Sequence, residues 1–355
     1  VSSRLSPADA GSATAWVASL SPWPEEFGLD RMKLLLERLG HPERGYPAIH
    51  VVGTNGKSTA TRTIAALLQA EGRRAGAYTS PHVSGWSERI SIDGAEADFE
   101  QAVARIHPQA ETLGATQFEA VTAAALAEFA ERAVDVAVME AGLGGRLDAT
   151  NVVDAPVVLL TNVSLEHTDV LGDTLEEIAH EKLAVAHAAR VVVLPDNRYE
   201  SLIPKSAEIV TGGAREAAEA FLGRRIRSNP SVQLPGRLER RGRELWDGAH
   251  NPAGTAWLRA ALPDPYDVVV ASILADKDVD AMLGDLAELA PRLIATQSTN
   301  ERALPAPELA DRAARYFQYV DTEPDPKLAL ARARESTEGP ILVTGSLYLL
   351  ADLSA

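Results

Sequence analysis

The sequence predicts an α/β protein of two domains, the first built on a mostly parallel sheet, and three observations carry that reading. Short apolar runs alternate with longer amphipathic or Ala-rich runs along most of the chain, the pattern of strands crossing to helices and back. The short runs are continuously apolar, as expected of parallel strands covered on both faces. The length, 355 residues, exceeds the roughly 150 that one domain usually holds.

In chain order, residues 29–39 carry Leu or Met at helical spacing and stop at Gly40, which predicts a helix. A strand over 49–52, a Gly-rich turn, a helix over 58–70 and a strand over 75–79 follow, then a helix over 99–106 and an Ala-rich helix over 118–132. Strands over 134–139, 156–161 and 191–194 flank a helix over 174–188. From Arg224 the pattern breaks into RRIRSNPSVQLPG, a linker that divides the chain into domains 1–230 and 231–355. The second domain alternates again: strands over 244–246, 267–272, 292–295 and 341–344, with helices over 253–262, 279–289 and 306–316. This is a smaller, Rossmann-like α/β domain.

Composition excludes several classes of function. With 34 basic and 50 acidic residues the net charge is −16, which opposes binding to nucleic acid. No apolar run is long enough to cross a bilayer, so no membrane partner is expected. The absence of cysteine removes disulfides, thiolate zinc sites and cysteine nucleophiles, and fits a reducing compartment. The opening VSSRLSPADAG lacks the basic start and apolar core of a signal peptide, so a cytoplasmic location is expected. Only six of the basic residues are Lys. Each lysine therefore draws attention.

The string IHVVGTNGKSTATRTIAALL joins a β-rich run to a helix through Gly53, Thr54, Asn55, Gly56, Lys57, Ser58 and Thr59. Such a loop aims backbone N–H groups at phosphate, the lysine neutralises β/γ oxygens, and a Ser58 or Thr59 hydroxyl is placed for Mg²⁺. The first Gly of the full motif would fall at Val51, so this is a shortened P-loop. Glu140 closes an apolar strand ahead of AGLGGR, where it is either a Mg²⁺ ligand or a solvated strand-end acid. A third loop, TNVSLEHTD, emerges on the same edge, with His167 suited to a metal and Asp169 either orienting it or capping the turn. His41, His50, His107, His180 and His187 read as structural or surface residues. For Lys182, beside Glu181 on a helix, the bland reading is a solvated ion-pair lysine, which helix geometry alone does not exclude. In the second domain Asp247 to Asn251 form a ligand-facing corner, Asn251 serving equally well as a helix cap.

Together these strings, with FGLDRM, TSPHVSGWSERI, TQFEAVTAAAL, GLGGRLDATN, EHTDVLGDTLEEIAHEK, PGRLE, DGAHNP, ILADKD and VTGSLYLLAD, resemble the folylpolyglutamate synthase/dihydrofolate synthase branch of the Mur ligase superfamily. The resemblance implies a P-loop-containing central domain that binds ATP and a C-terminal domain that closes over the nucleotide and binds the amino acid. It implies an ATP-dependent ligase that joins L-glutamate to dihydropteroate or tetrahydrofolate through an acyl phosphate, acting as a monomer with Mg²⁺, and with K⁺ as a further cation. By the same resemblance Lys57 and its loop hold the triphosphate, and Ser80, Glu140 and His167 hold Mg²⁺. Lys182 matches a carbamylated lysine, and Arg237, Asp247 and His250 face the nucleotide. Thr116, Phe118, Glu119, Arg89, Leu147, Asp148 and Ala149, with the entry near 27–30, lie on the folate side, and Ser346 and His250 lie near the incoming amino acid. This chain departs from the branch in three places. It has GTNGKST where GTNGKGS is usual, it lacks the HQxxN element between Leu194 and Pro235, and its 106–116 segment is short.

Competing readings are a UDP-precursor ligase of peptidoglycan synthesis, a Mur-type ligase for another carboxylate, a catalytically degenerate nucleotide-binding paralogue, and a plain kinase or ATPase. Only 52 residues precede Gly53, too few for the extra domain of the first.

Overall fold

The computed structural model describes residues 12–354; VSSRLSPADAG, which carries the expectation about a signal peptide, lies outside them. Two compact units divide the chain: the residues through His82 with Trp86–Val232, and Val83–Gly85 with Gln233–Ala355.

The strands of the larger unit are β1 (Ala48–Val52), β2 (Ala75–Tyr78), β3 (Ile90–Ile92), β4 (Ala95–Glu96), β5 (Val136–Glu140), β6 (Val157–Leu160), β7 (Val191–Leu194) and β8 (Glu208–Thr211). They form one sheet in the order β4-β3-β2-β5-β1-β6-β7-β8, parallel from β2 to β8, with β3 and β4 antiparallel at one edge. The helices are α1 (Ser12–Ser19), α2 (Asp30–Arg38), α3 (Lys57–Ala70), α4 (Phe99–Thr112), α5 (Gln117–Glu131), α6 (Thr168–Leu171), α7 (Leu175–Leu183) and α8 (Ala214–Leu222). Every side chain of β1 and β5 is buried, which accounts for their unbroken apolar sequence. The core lies on both faces of the sheet. Met32, Tyr78, Phe129, Leu160 and Leu194 belong to one side, and Ile49, Ile64, Leu68 and Val193 to the other.

The second unit has β9 (Glu239–Arg241), β10 (Glu244–Trp246), β11 (Val268–Ala271), β12 (Arg292–Ala295), β13 (Tyr319–Thr322) and β14 (Ile341–Thr344). Their order is β13-β12-β11-β14-β10-β9, parallel except for β9. Helices α9 (Pro252–Ala261), α10 (Val279–Ala287), α11 (Ala306–Ala313), α12 (Pro326–Ser336) and α13 (Leu347–Ser354) accompany them. Among the described residues no helix is long and apolar enough to cross a membrane.

Two expected helices differ most in their bounds. The one expected to end at 106 runs on to Thr112 through Pro108, which has no N–H to donate; buried Ile106 and Ala110 hold this stretch to the core. The one expected over 174–188 is an α-helix only to Leu183 and continues as a 3₁₀ turn over Ala184–Ala188. It begins with a capping box, Thr174 and Glu177 satisfying each other's backbone N–H groups.

Candidate active site

Buried β1 delivers its carboxyl end to Gly53, where the chain turns and α3 begins. Gly53 has φ 146°, and a Cβ there would lie 1.9 Å from Thr161 Oγ1. Only glycine fits. Gly53→Ala is therefore expected to lose about 1–3 kcal/mol from backbone conformation alone, with the collision added, and to weaken nucleotide binding. Thermal melts with and without MgATP check both effects.

The loop is braced by the turn after β6. Thr54 N–H donates to Asn162 O at 3.0 Å, and Asn55 N–H donates to Asn162 Oδ1 at 2.9 Å. Thr161 Oγ1 donates to Asn55 O at 2.7 Å, and Ser164 N–H donates to Thr54 Oγ1 at 3.1 Å. Ala60 N–H returns to Gly56 O at 2.9 Å. The earlier N–H groups of α3 thus face outward at a positive helix end, where an anion binds.

Two ammonium groups meet at one carbonyl. Lys57 Nζ donates to Gly53 O and Thr54 O, both at 3.1 Å, and Lys182 Nζ reaches Gly53 O at 2.9 Å. Lys182 is buried, which settles the choice left open by its spacing: it is no solvated surface lysine. Burial, reinforced by the nearby Lys57 charge, lowers its pKa to about 7. It is held there because the Gly-rich loop packs on the end of α7. Arg146 N–H donates to Glu181 O at 3.1 Å, and a Cβ at Gly145 would come within 2.5 Å of Lys182 O.

Glu140 closes β5 at 1% exposure. Its Oε1 accepts from Ser58 Oγ and its Oε2 from Ser80 N–H, both at 3.0 Å. Of the two P-loop hydroxyls, Ser58 is thus the one brought to the carboxylate, while Thr59 is exposed. A carboxylate beside a hydroxyl is an oxygen donor set that suits Mg²⁺, which commonly takes one or two carboxylates and completes its shell with phosphate and water. Among the described residues no group of three or more His, Asp or Glu forms a self-contained metal cage. His167 is exposed and holds a left-handed φ of 52° at the start of α6; Asp169, also exposed, lies in the first turn.

A second cluster adjoins this one. Phe118 occupies the space above Gly142, where a Cβ would lie 2.5 Å from its Cζ, and its ring centre is 6.0 Å from that of Tyr78. Thr116 and Glu119 form a capping box at the start of α5, and Arg31 Nε lies 3.5 Å from Glu119 Oε1. Ser21 O accepts from Gln117 N–H at 2.9 Å, which ties the entry segment to α5; Phe27 is exposed. Arg89 lies 4.6 Å above the Trp86 ring and donates through Nε to His82 Nδ1 at 2.9 Å. Burial and the Arg89 charge lower the His82 pKa to about 4. Asp148 is buried, accepting from Leu143 N–H at 2.8 Å and Thr150 N–H at 3.0 Å, and burial pushes its pKa up. Leu147 is exposed and Ala149 buried. Tyr78, which the sequence reading passed over, hydrogen-bonds Arg89 and feels the charges of Asp148 and Glu140; burial raises its pKa to about 12. Its place at the end of β2, two residues before Ser80, was the available signal.

In the second unit, Arg237, Asp247 and His250 gather at the corner after β10. Asp247 accepts from Leu238 N–H and Ala249 N–H, each at 2.9 Å, and burial raises its pKa. The Arg237 guanidinium faces Asp247 and donates to Gly236 O at 3.0 Å. His250 Nδ1 lies 2.8 Å from Gly248 O and so carries the proton. Asn251 caps α9 by accepting from Gly254 N–H at 2.8 Å. Ser346, fully buried, accepts from Tyr348 N–H at 3.1 Å.

A P-loop at the carboxyl edge of a parallel sheet, with a buried acid and a buried lysine on the adjoining loops, defines a nucleotide-dependent enzyme of the phosphoryl-transfer class. Comparison with known proteins makes the class specific. Residues 51–234 match the Mur ligase middle domain. The dihydrofolate synthase/folylpolyglutamate synthase of Mycobacterium tuberculosis is 32% identical, the alignment covering 89% of this chain and 87% of that one. A crystal structure of Mycobacterium tuberculosis folylpolyglutamate synthase complexed with ADP and AMPPCP superimposes with TM-score 0.88 at 30% identity, over 97% of this chain and 98% of that one. The bifunctional synthase of Yersinia pestis complexed with AMPPNP and a Mn ion gives TM-score 0.81 at 27% identity, over 97% of both chains. The chain belongs to the Mur ligase family, in its folylpolyglutamate synthase/dihydrofolate synthase branch, and is an ATP-dependent ligase.

Proposed function

We propose that this protein joins L-glutamate to the free carboxylate of a folate-type acceptor, dihydropteroate or tetrahydrofolate, at the expense of ATP. The observation that carries the reading is the meeting of the P-loop, Glu140 and Lys182 beside the Phe118–Asp148 cluster, which sets a phosphate-binding end next to an aromatic and polar end. The acceptor carboxylate attacks the γ-phosphate, ADP leaves, and the acyl phosphate so formed is attacked by the neutral amine of glutamate. Phosphate and a proton are released as the amide forms. Lys57 and the α3 N-terminus offset the charge that gathers during phosphoryl transfer. Glu140 and Ser58 would hold Mg²⁺, with Ser80 and His167 completing the set that the family implies; bound there, the ion neutralises phosphate charge.

Lys182 is well placed for carbamylation, because CO₂ adds only to a neutral amine and this amine titrates near pH 7. The same reading assigns Arg237, Asp247 and His250 to the nucleotide and Ser346 to the amino acid. It keeps K⁺ as a second cation and takes the protein as a cytoplasmic monomer. With either acceptor, glutamate and MgATP, mass spectrometry is expected to find a product heavier by one glutamyl unit, together with ADP and phosphate. Absence of that product for both acceptors, in protein that still binds ATP, overturns the proposal.

A further inference from the structure

We propose that His50 is a positioning residue for the acceptor side of the site: its imidazole N–H, relayed through the Thr150 hydroxyl, fixes Asp148 and with it the loop from Gly142 to Asp148. The inference rests on the reading above that this loop faces the folate-type acceptor. His50 lies in the middle of β1, three residues before Gly53, and has no exposed surface. Its Nε2 is 2.8 Å from Thr150 Oγ1. Thr150 Oγ1 in turn donates to Asp148 Oδ1. A hydroxyl has one proton, and both Asp148 oxygens already accept from backbone N–H groups, Oδ2 from Leu143 and Oδ1 from Thr150, the donor set of an ionised carboxylate, which can only accept. With that proton committed to Asp148, Thr150 Oγ1 can only accept from His50.

The imidazole therefore carries a proton on Nε2. Burial, with His187 nearby, lowers its pKa to about 3, so it stays neutral wherever the enzyme works. Its other nitrogen, Nδ1, is then a buried acceptor with no hydrogen-bond partner among the described residues. An aliphatic side chain in this strand would leave no such orphan, so packing does not account for a histidine here. The directed bond to Thr150 does. Its far end is Asp148, whose Oδ2 accepts from Leu143 N–H at 2.8 Å and so pins the turn on which Phe118 rests.

Two measurements test this. Long-range proton–nitrogen NMR of histidine-labelled protein is expected to show His50 as the Nε2–H tautomer, without titration across the neutral range. An Nδ1–H tautomer overturns the relay whatever the substrate proves to be. In steady-state kinetics His50→Leu is expected to raise KM for the acceptor about tenfold or more, with KM for ATP within about twofold of wild type, a split that a general loosening would not give. His50→Gln, which returns an N–H donor at similar reach, restores the acceptor KM. Where His50→Leu does not fold, Thr150→Val removes the same hydroxyl and is expected to give the same split. An unchanged acceptor KM, or equal rises for both substrates, overturns the inference while leaving the ligase reading intact. Wild-type protein that forms no glutamylated product defeats the ligase reading instead, and the tautomer still decides the bond.

Discussion

Glu140→Gln is expected to lower acceptor-dependent ADP formation by about 10²–10³-fold, the scale on which single contacts to transition-state charge act, while the melting temperature stays close to that of wild type. The side chains have the same shape. The glutamine carbonyl keeps one of the two donors, and the Ser58 hydroxyl, which can accept as well as donate, turns to receive the new N–H. What disappears is a negative charge at 1% exposure. Without it an ion bound between Ser58 and the carboxylate loses its anionic ligand, and Arg62 and Arg89, both of which feel the Glu140 charge, lose a counter-charge. Parallel measurement of kcat and thermal unfolding decides the matter. A large fall in stability with normal turnover would return Glu140 to the role of a strand-end acid.

Lys182→Ala is expected to reduce glutamyl transfer by about 10²-fold or more, with partial rescue by short carboxylic acids that fill the space and supply the charge of a carbamate. Full activity in this variant would remove Lys182 from the machinery. Stability should move the other way in Lys182→Met, which keeps the packing and deletes the charge. The folded-state pKa, about 7, is depressed from 10.5. Between those values the unfolded chain binds the proton and the folded one does not, so wild-type stability rises with pH across that window. Below it the full penalty stands, on the order of 5 kcal/mol at about 1.36 kcal/mol per pKa unit. Urea unfolding of Lys182→Met should therefore show its largest gain over wild type at or below neutral pH and little gain near the unfolded-state pKa. An equal difference at every pH would mean that the lysine is not depressed.

Much of the fold was legible because buried strands are apolar throughout. The bounds of β7, β10, β12 and β14 coincide with those expected from the sequence. Strands outside that rule were missed. Most side chains of β8 and β13 are exposed or half-buried at sheet edges, and their sequences, EIVT and YVDT, carry no continuous apolar signal. Helix α12, PKLALARARES, hides Ala329, Leu330 and Ala333 among charges.

Within the site, the P-loop, Glu140 and the turn after β6 were readable because each follows a strand of one parallel sheet, and parallel strands place their carboxyl ends on one edge. Ser58 and Thr59 could not be separated, since neighbouring residues on a helix differ by about 100° in direction and only the packed helix fixes which one faces Glu140. Lys182 looked like a surface residue because what its side chain meets is distant in sequence: its Nζ donates to Gly53 O, 129 positions earlier. His50 looked structural for a similar reason: its partner, Thr150, lies 100 residues downstream.

Helix α5 is lined with methyl-sized residues, Ala120, Ala123, Ala124 and Ala125, none with exposed surface. That lets its backbone lie close to its neighbours, but it leaves no slack. A larger residue at any of the four would lift the whole rod and carry Thr116, Phe118 and Glu119 with it. Attempts to retune acceptor preference by design would therefore do best to confine changes to the first turn, where Phe118 can vary without shifting the scaffold behind it.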